Sequence, residues 1–341
     1  FSVALAQKNN SNILIVTNKL NTIYTKIYYS FGISEFHFKF FNSTQTLLSS
    51  LIETFFGIIR IKKNGFEWFI KNFKLNNISF GDLIFDSYIR FDKSYLNPKI
   101  DLKFIRIFFI AIIKIKTIYR LLNKKKPRII ISNGGGYATL GGISSRIANE
   151  LNIQVITPYF DKKKNISFIN SQDQNCMVLP GGDIKKISKK ILLTKLKNIP
   201  NKKIEKYIKD RINAKVVTNT TNILDLKKLN KKTLHFSRQN IIEKKFNKRK
   251  IDKLILIAPH AFSDCPHMVG DIFFKDYYNQ LYETLHFINN LNLKNIGWLV
   301  KPHPGSKRYG ENGIVEKIVY SDGAYWGHPD KMRFRSSIET F

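Results

Sequence analysis

Two short apolar segments, each followed by a polar loop, constrain the fold of this 341-residue chain more than any other feature. Leu254 to Ala258 and Gly297 to Val300 have the length and composition of buried parallel strands. Between them, apolar residues recur at helical spacing; they are Phe274, Tyr277, Tyr278, Leu281, Leu285 and Ile288. This order predicts a right-handed parallel crossover, which places both following loops at one edge of a sheet.

The two loops are rich in side chains that can bind an anion. Ligands of open α/β sheets bind at the carboxyl edge of the strands, so the two loops are predicted to converge on one site. Imidazole, ammonium and backbone N–H groups there would stabilise negative charge on a phosphate leaving group. Our candidate catalytic residues in the loops are His260, Asp264 and His303. Our candidate residues for binding the donor, the molecule that carries this phosphate, are His267, Lys301, Pro304 and Ser306.

A second α/β unit is predicted earlier in the chain. Arg128 to Ser132 has the composition of a strand, a helix follows from about Thr139 to Leu151, and Gln154 to Thr157 is the next strand. The glycines between strand and helix match neither the dinucleotide fingerprint nor a Walker loop. They could form a tight turn, or a surface where a substrate anion approaches the backbone. The candidate cleft residues are Gly134, Gly135, Gly136 and Asp86.

Four further segments have a local prediction. Asn12 to Thr17 is predicted to be a strand, and Phe40 to Ile59 has helical spacing. Leu102 to Leu122 is the most hydrophobic segment, but its charges argue against a spanning helix. We favour a helix buried in the protein, with a helix lying on an anionic membrane as the alternative. Ser336 to Thr340 is predicted to begin a new helix.

The length suggests two domains. We predict an N-terminal α/β domain over 1–248 and a C-terminal nucleotide-donor domain over 249–341, joined near Asn247 to Lys250. The Lys-rich stretch before this connection has weak helical segments, with Pro200 in a first turn and Ser237 as an N-cap. Both ends of the chain are expected to be truncations.

The formal net charge of +32 is suited to binding nucleic acid, an anionic membrane or an acidic substrate. The excess is mainly lysine mixed with asparagine and isoleucine, so A/T-rich codons explain it equally well. Cys176 and Cys265 are far apart and give no disulfide framework, which favours reduced thiols in the cytosol. No metal-ligand spacing occurs in the sequence, and we expect no metal and no cofactor.

Several blocks of the sequence resemble a known family. Trp298 to Pro304 looks like the His-Pro motif of bacterial capsule-type glycosyltransferases with the two-domain GT-B fold, which include sialyltransferases and polysialyltransferases. His260 to His267, together with Asp276 to Tyr278 and Glu283 to Leu285, is similar to a block in surface-polysaccharide transferases. The resemblance extends to two earlier blocks, Gly81 to Asp86 and Ser132 to Ala148, and covers most of 75–160 and 250–315.

The resemblance implies an α/β fold of two Rossmann-like domains facing a cleft, with an incomplete C-terminal domain. It implies a nucleotide-sugar donor, contacted by His303 through its phosphate, and a glycan or lipid-linked acceptor. A Ser/Thr-containing nucleotide loop is expected beyond the residues present. The catalytic base is expected in the N-terminal domain, where Asp82, Asp86 and Asp161 are candidates and Asp82 is preferred.

Three alternatives stay open at this point. A teichoic-acid-type glycerophosphate or polyol-phosphate transferase would use a similar His-Pro loop with a CDP-activated donor. A nucleic-acid-binding protein would explain the charge but not the two histidine loops, so we expect no nucleic-acid partner. An inactive gene product is the third. The preferred location is the cytoplasm, with peripheral contact to the inner face of an anionic membrane as an option.

Overall fold

The computed structural model describes residues 6–7, 10–17, 23–33, 35–37, 43–92, 98–132, 135–160, 166–171, 246, 250–267, 274–291, 293, 295–320 and 338–340. Within these residues the chain is mixed α/β with four small sheets, so the predicted α/β class is confirmed. The predicted helical residues Pro200 and Ser237, as well as Gly134, Asp161 and Cys176, lie outside the described residues.

The described helices, in chain order, are α1 (Ile23–Ser30), α2 (Thr44–Asn72), α3 (Gly81–Asp92), α4 (Leu102–Lys125), α5 (Leu140–Glu150), α6 (Tyr277–Leu291), α7 (Ser306–Tyr309) and α8 (Ile314–Tyr320). The described strands are β1 (Ile15–Val16), β2 (Phe36–His37), β3 (Lys74–Leu75), β4 (Ile78–Ser79), β5 (Ile129–Ile131), β6 (Gln154–Phe160), β7 (Ile166–Ser171), β8 (Lys253–Ile257), β9 (Ile296–Val300) and β10 (Ile338–Thr340).

The four sheets differ in direction. β1 and β2 pair in parallel, and β3 and β4 form a short antiparallel hairpin. In the third sheet β6 is central, parallel to β5 and antiparallel to β7. In the fourth sheet β9 is central and both of its neighbours, β8 and β10, are parallel to it. The strand predicted over 12–17 is therefore present but shorter.

Helices α2, α3 and α4 pack around a cluster of aromatic rings. Phe69, Phe104 and Phe108 are fully buried, with ring centroids 5.1–5.8 Å apart. The Asp101 side chain accepts a hydrogen bond from Phe104 N at 2.7 Å and so caps the start of α4. α4 ends at Lys125, two residues before Pro127, because proline cannot continue a helix.

The two alternatives for the hydrophobic segment over 102–122 are now distinguished. Eight residues of α4 are buried, from Phe104 to Leu122, and they belong to the main hydrophobic core. The prediction of a buried helix is confirmed, and α4 has no broad apolar face left for a membrane. Across the described ranges, every helix is too short or too polar to cross a bilayer.

The predicted crossover unit has the expected pairing. β8 and β9 are parallel, with Leu254 opposite Gly297 and Ile257 opposite Val300, and α6 lies between them in sequence. The buried face of α6 contains Tyr278, Leu281 and Leu285, as the helical spacing predicts. The core cluster includes side chains from both predicted domains, while the boundary near Asn247 to Lys250 stays a prediction.

The prediction of a helix over Ser336 to Thr340 is wrong. Ile338–Thr340 is strand β10, which pairs in parallel with β9, Ile338 lying opposite Trp298. Two of its three residues are β-branched, and such residues favour a strand next to an available sheet edge over the start of a helix.

Candidate functional site

The loops after β8 and β9 form the walls of one pocket, as predicted. The pocket has a volume of about 370 Å³. Its lining includes His260 from the first loop, Lys301, His303 and Pro304 from the second, and two residues at the start of α6. The rings of His260 and His303 lie with centroids 5.5 Å apart and nearly parallel. The parallel register of β8 and β9 therefore brings together histidines that are far apart in sequence.

The loop itself fixes which nitrogen of His303 carries a proton. Gly305 N donates a hydrogen bond to His303 Nδ1 at 3.0 Å. Because Nδ1 accepts, the neutral ring has its proton on Nε2. A Cβ at Gly305 would approach Tyr309 to 2.7 Å and His303 Nδ1 to 3.1 Å, so a glycine suits this close turn. His303 thus offers a fixed N–H donor for an anionic oxygen.

His260 has the opposite arrangement. Its Nδ1 lies 3.2 Å from the carbonyl oxygen of Ala261, which can only accept, so Nδ1 carries the proton and Nε2 has the lone pair. The ring of Tyr277 lies against His260 with centroids 4.5 Å apart.

The charge state of His303 depends on what occupies the pocket. Burial lowers the pKa of His303, and the neighbouring His260 lowers it further, whereas Asp264 and Glu311 oppose the shift. The lowered pKa favours a neutral His303 at neutral pH. A bound phosphate would reverse this preference because a nearby negative charge stabilises the imidazolium.

Glu311, which the sequence analysis missed, holds the first loop in place. Its carboxylate is 2% exposed. It accepts hydrogen bonds from Phe262 N at 3.1 Å, Ser263 N at 2.8 Å and Ser263 Oγ at 2.7 Å. Glu311 lies between Gly310 and Gly313, both at positive φ. This acidic residue between two turn glycines was the available signal, but its partner loop lies 48 residues away.

Asp264 lies beside the pocket and connects the two regions of the chain. Its Oδ1 accepts from the Tyr137 hydroxyl at 3.1 Å and lies 3.9 Å from Arg90 Nη1, and its Oδ2 is 3.5 Å from the Tyr309 hydroxyl. The Arg90 guanidinium also lies 3.8 Å from the centre of the Tyr309 ring, a cation–π contact. Asp264 does not line the pocket with the two histidines, and these partners suit a positioning role.

His267 and Asp86 form a buried pair away from the pocket. Asp86 is fully buried; its Oδ1 is 2.6 Å from His267 Nδ1, and its Oδ2 accepts from His267 N at 3.2 Å. Burial alone would lower the pKa of His267, but the Asp86 carboxylate raises it and determines the net direction. Burial raises the pKa of Asp86, although His267 opposes this. The pair joins α3 to the loop after β8, and neither residue lines the histidine pocket.

Asp82, the preferred candidate for the catalytic base, is in the first turn of α3 and not in a turn before it. Both of its oxygens are bound by the Arg146 guanidinium, at 2.6 Å from Oδ1 and in a second, shorter contact to Oδ2. Arg146 also donates to Ser79 O at 2.7 Å. This bidentate pair joins α3 to α5 and engages both carboxylate oxygens of Asp82, which argues against a base role.

The glycine loop after β5 meets the loop after β8. Gly135 has φ +133°, where a side chain would be strained, and Gly136 is buried. A hydrogen bond links Gly136 to Cys265, whose thiol pKa is raised to about 12, chiefly by burial. Ser306, at the start of α7, is buried and its N–H donates to the His303 carbonyl at 2.9 Å. Ser306 therefore shapes the histidine loop and does not line the pocket.

The pocket thus contains four of the predicted site residues, together with Tyr277 and Gln280, which the sequence analysis did not place there. The sequence could have indicated this, because both residues are in the first turn of α6, directly after the loop. The described residues contain no group of three or more His, Cys, Asp or Glu side chains arranged to hold a metal ion. Comparisons with protein-family models, curated proteins and solved structures find no match for this chain.

Proposed function

We propose that this chain is a glycosyltransferase that moves a sugar from a nucleotide-activated donor onto a surface polysaccharide or lipid-linked acceptor. One observation carries the proposal. His260, Lys301 and His303, from loops at one edge of a parallel sheet, line a single pocket. Two imidazoles and an ammonium group in one pocket are suited to the phosphates of such a donor.

The proposed chemistry needs stabilisation of a leaving group. The bond between the anomeric carbon and a phosphate oxygen breaks, and its electron pair stays on the phosphate. The acceptor hydroxyl oxygen bonds to the same carbon, and its proton passes to water. His303 Nε2–H would donate to the phosphate oxygen, and Lys301 would add positive charge. Asp82 is bound by the Arg146 guanidinium and Asp86 by His267, so neither is proposed as the base.

The finer architecture belongs to the same proposal. In a GT-B arrangement, the region around β5 and α5 would face the acceptor, and the β8–α6–β9 unit would bind the donor. The contact of Tyr137 with Asp264 across the two regions supports this placement, because it brings the glycine loop to the donor loop. We place the enzyme in the cytoplasm, which suits a chain with two widely separated cysteines.

A thermal-shift panel tests the donor. The chain would be heated with CMP, CDP, UDP and GDP and with their sugar and glycerol conjugates. A ligand that binds only the folded state adds about 2.7 kcal/mol of stability at a hundredfold excess over its dissociation constant. His303→Ala should abolish the shift. His286→Ala is the matched control, since His286 is on the exposed side of α6, hydrogen-bonded to Asn290.

Each result has a defined meaning. A shift with one nucleotide sugar that is lost in His303→Ala and kept in His286→Ala supports the proposal. CDP-glycerol as the best ligand would assign the site to a glycerophosphate transferase. A shift retained in His303→Ala would contradict the role of this pocket.

A further inference from the structure

In the N-terminal half of α2, the small polar side chains are buried and the large apolar side chains are exposed, the reverse of an ordinary surface helix. The residues that face the protein and are buried include Thr46, Ser50, Thr54 and Gly57. The outward-facing side chains are large and apolar, and each is between 45% and 61% exposed; they are Leu48, Leu51, Ile52, Phe55, Phe56 and Ile59. These six recur at helical spacing and form one continuous stripe, which we call the α2 apolar face.

Contacts with α4 fix this orientation. A Cβ at Gly57 would lie 2.5 Å from the Phe108 ring, so the two helices approach too closely for a large side chain. Arg120 donates to the Thr46 hydroxyl, and Lys116 lies 4.0 Å from Glu53. Rotating α2 to bury its apolar face would break these contacts and place leucines and phenylalanines where only small residues fit.

The charges around the α2 apolar face are positive. Arg60, Lys62 and Lys63 follow the stripe at its C-terminal end, and all three are exposed. The single acidic residue between Thr44 and Lys63 is Glu53, and it pairs with Lys116. A surface with an apolar stripe and cationic residues at one end complements anionic headgroups above an acyl layer.

The dimensions favour a membrane over a second copy of the chain. From Leu48 to Ile59 the stripe is about 18 Å long and one helix wide. A stable dimer usually buries about 800 Å² on each partner, more than one such helical face supplies. Two copies that each have a net charge of +32 would also repel one another. The length is far below the roughly 20 residues needed to span a bilayer, so the helix would lie in the membrane plane.

We propose that the α2 apolar face, with Arg60, Lys62 and Lys63, docks the protein onto an anionic phospholipid membrane. This surface is separate from the histidine pocket, and the proposal does not depend on transferase activity. It places the membrane contact on α2 and not on the buried helix α4.

Vesicle co-sedimentation of the full chain tests the proposal. We expect binding to vesicles of phosphatidylglycerol mixed with phosphatidylcholine, and at least about tenfold weaker binding after Phe55→Glu, which puts a charge into the acyl boundary. The matched control is Phe287→Glu, because Phe287 is 63% exposed on α6; it should bind as the unmodified chain does. The double variant Lys62→Glu with Lys63→Glu should weaken the preference for these anionic vesicles over vesicles of pure phosphatidylcholine.

Three outcomes would overturn the proposal. Equal binding of the unmodified chain and Phe55→Glu would reduce the effect to general attraction by the +32 charge. A loss of melting temperature in Phe55→Glu as large as that of a core substitution would mean that the chain covers this face itself. A dimer in light scattering that Phe55→Glu dissociates would assign the face to a second copy.

Discussion

Two regions of the chain each have loops that follow parallel strands, and the loops of the two regions differ in chemistry. In residues 44–150, the loop after β5 contains glycines, Tyr137 and Ala138 and has no charged side chain. In residues 253–320, the loops after β8 and β9 contain His260, Lys301 and His303. The first region contributes close packing and backbone, whereas the second contributes charge. Substitutions in the first should therefore act on stability, and those in the second on ligand binding.

The interactions that stabilise the two regions also differ, with packing dominant in the first and a charged group in the second. The first region is built on aromatic rings in edge-to-face contact and on a mostly buried ion pair between Asp82 and Arg146. In the second region, the loop around Ser263 depends on one buried carboxylate, that of Glu311. Between the regions lie polar contacts, of which the Asp86–His267 pair is the most buried. The four predictions below test this division.

The largest effect is expected for Gly81→Ala in the first region. A Cβ at Gly81 would lie 1.9 Å from the carbonyl oxygen of Phe69, which belongs to backbone that cannot move aside. The free energy of unfolding should fall by at least about 3 kcal/mol, the upper end for overpacked cores. Chemical denaturation followed by circular dichroism measures this.

The control for Gly81→Ala is Gly65→Ala. Gly65 has φ +82° and ψ 172°, a conformation nearly confined to glycine, with nothing near its Cβ position, so backbone strain of about 1–3 kcal/mol without any steric clash is expected. If the two variants lose equal stability, the close approach of α3 to Phe69 is not what limits the first region.

The next effect concerns the contact between the regions. Asp86→Ala leaves the N–H groups of His267 without a buried acceptor, which should cost about 1–3 kcal/mol. A double-mutant cycle with His267→Ala separates the pair from the packing of each residue. The expected coupling energy is at least about 1 kcal/mol. Additive losses would show that Asp86 and His267 act independently.

A smaller loss of stability is expected for Glu311→Gln in the second region. The amide keeps one acceptor oxygen and loses the charge that strengthens three hydrogen bonds to the loop at Ser263, so about 1–2 kcal/mol is expected. Because that loop also contains His260, which lines the pocket, the ligand-induced thermal shift should also weaken. Glu67→Gln, at an exposed site, is the control. A loss of stability with an unchanged ligand shift would remove Glu311 from the support of the pocket.

The sequence was most informative where local pattern and topology agree. Continuous apolar runs identified β8 and β9, and the rule that parallel strands share an edge placed His260 beside His303. The contacts of Asp86 with His267 and of Asp82 with Arg146 join residues 181 and 64 positions apart. No periodicity encodes such pairs, and the same carboxylates would have suited a catalytic base equally well.

Helix α2 shows a second reason why the sequence did not predict every feature of the structure. Its helical spacing predicted a helix over Phe40 to Ile59, and α2 begins at Thr44 and continues to Asn72. Hydrophobic periodicity normally identifies the buried face, but here the large apolar side chains are exposed and the small polar ones are buried. The close approach of Gly57 to Phe108 decides the orientation, and this depends on a residue in another helix.

The smallest effect is a pH dependence of the contact between the regions. Burial would lower the pKa of His267, but Asp86 raises it above the ordinary value of 6.5. A raised folded-state pKa means that the imidazolium stabilises the fold fully below pH 6.5 and that this contribution is lost as pH rises through the folded-state pKa. The melting temperature of the unmodified chain should therefore fall as the pH rises from about 6.5 through the folded-state pKa. Asp86→Asn keeps the shape but removes the charge, so its melting temperature should change less over the same interval.

If both proteins show the same slope, the pair does not hold its proton as an ion pair, and the contact between the regions is a neutral hydrogen bond. If the slope of the unmodified chain alone is steeper, charge is what joins the packed first region to the charged loops of the second.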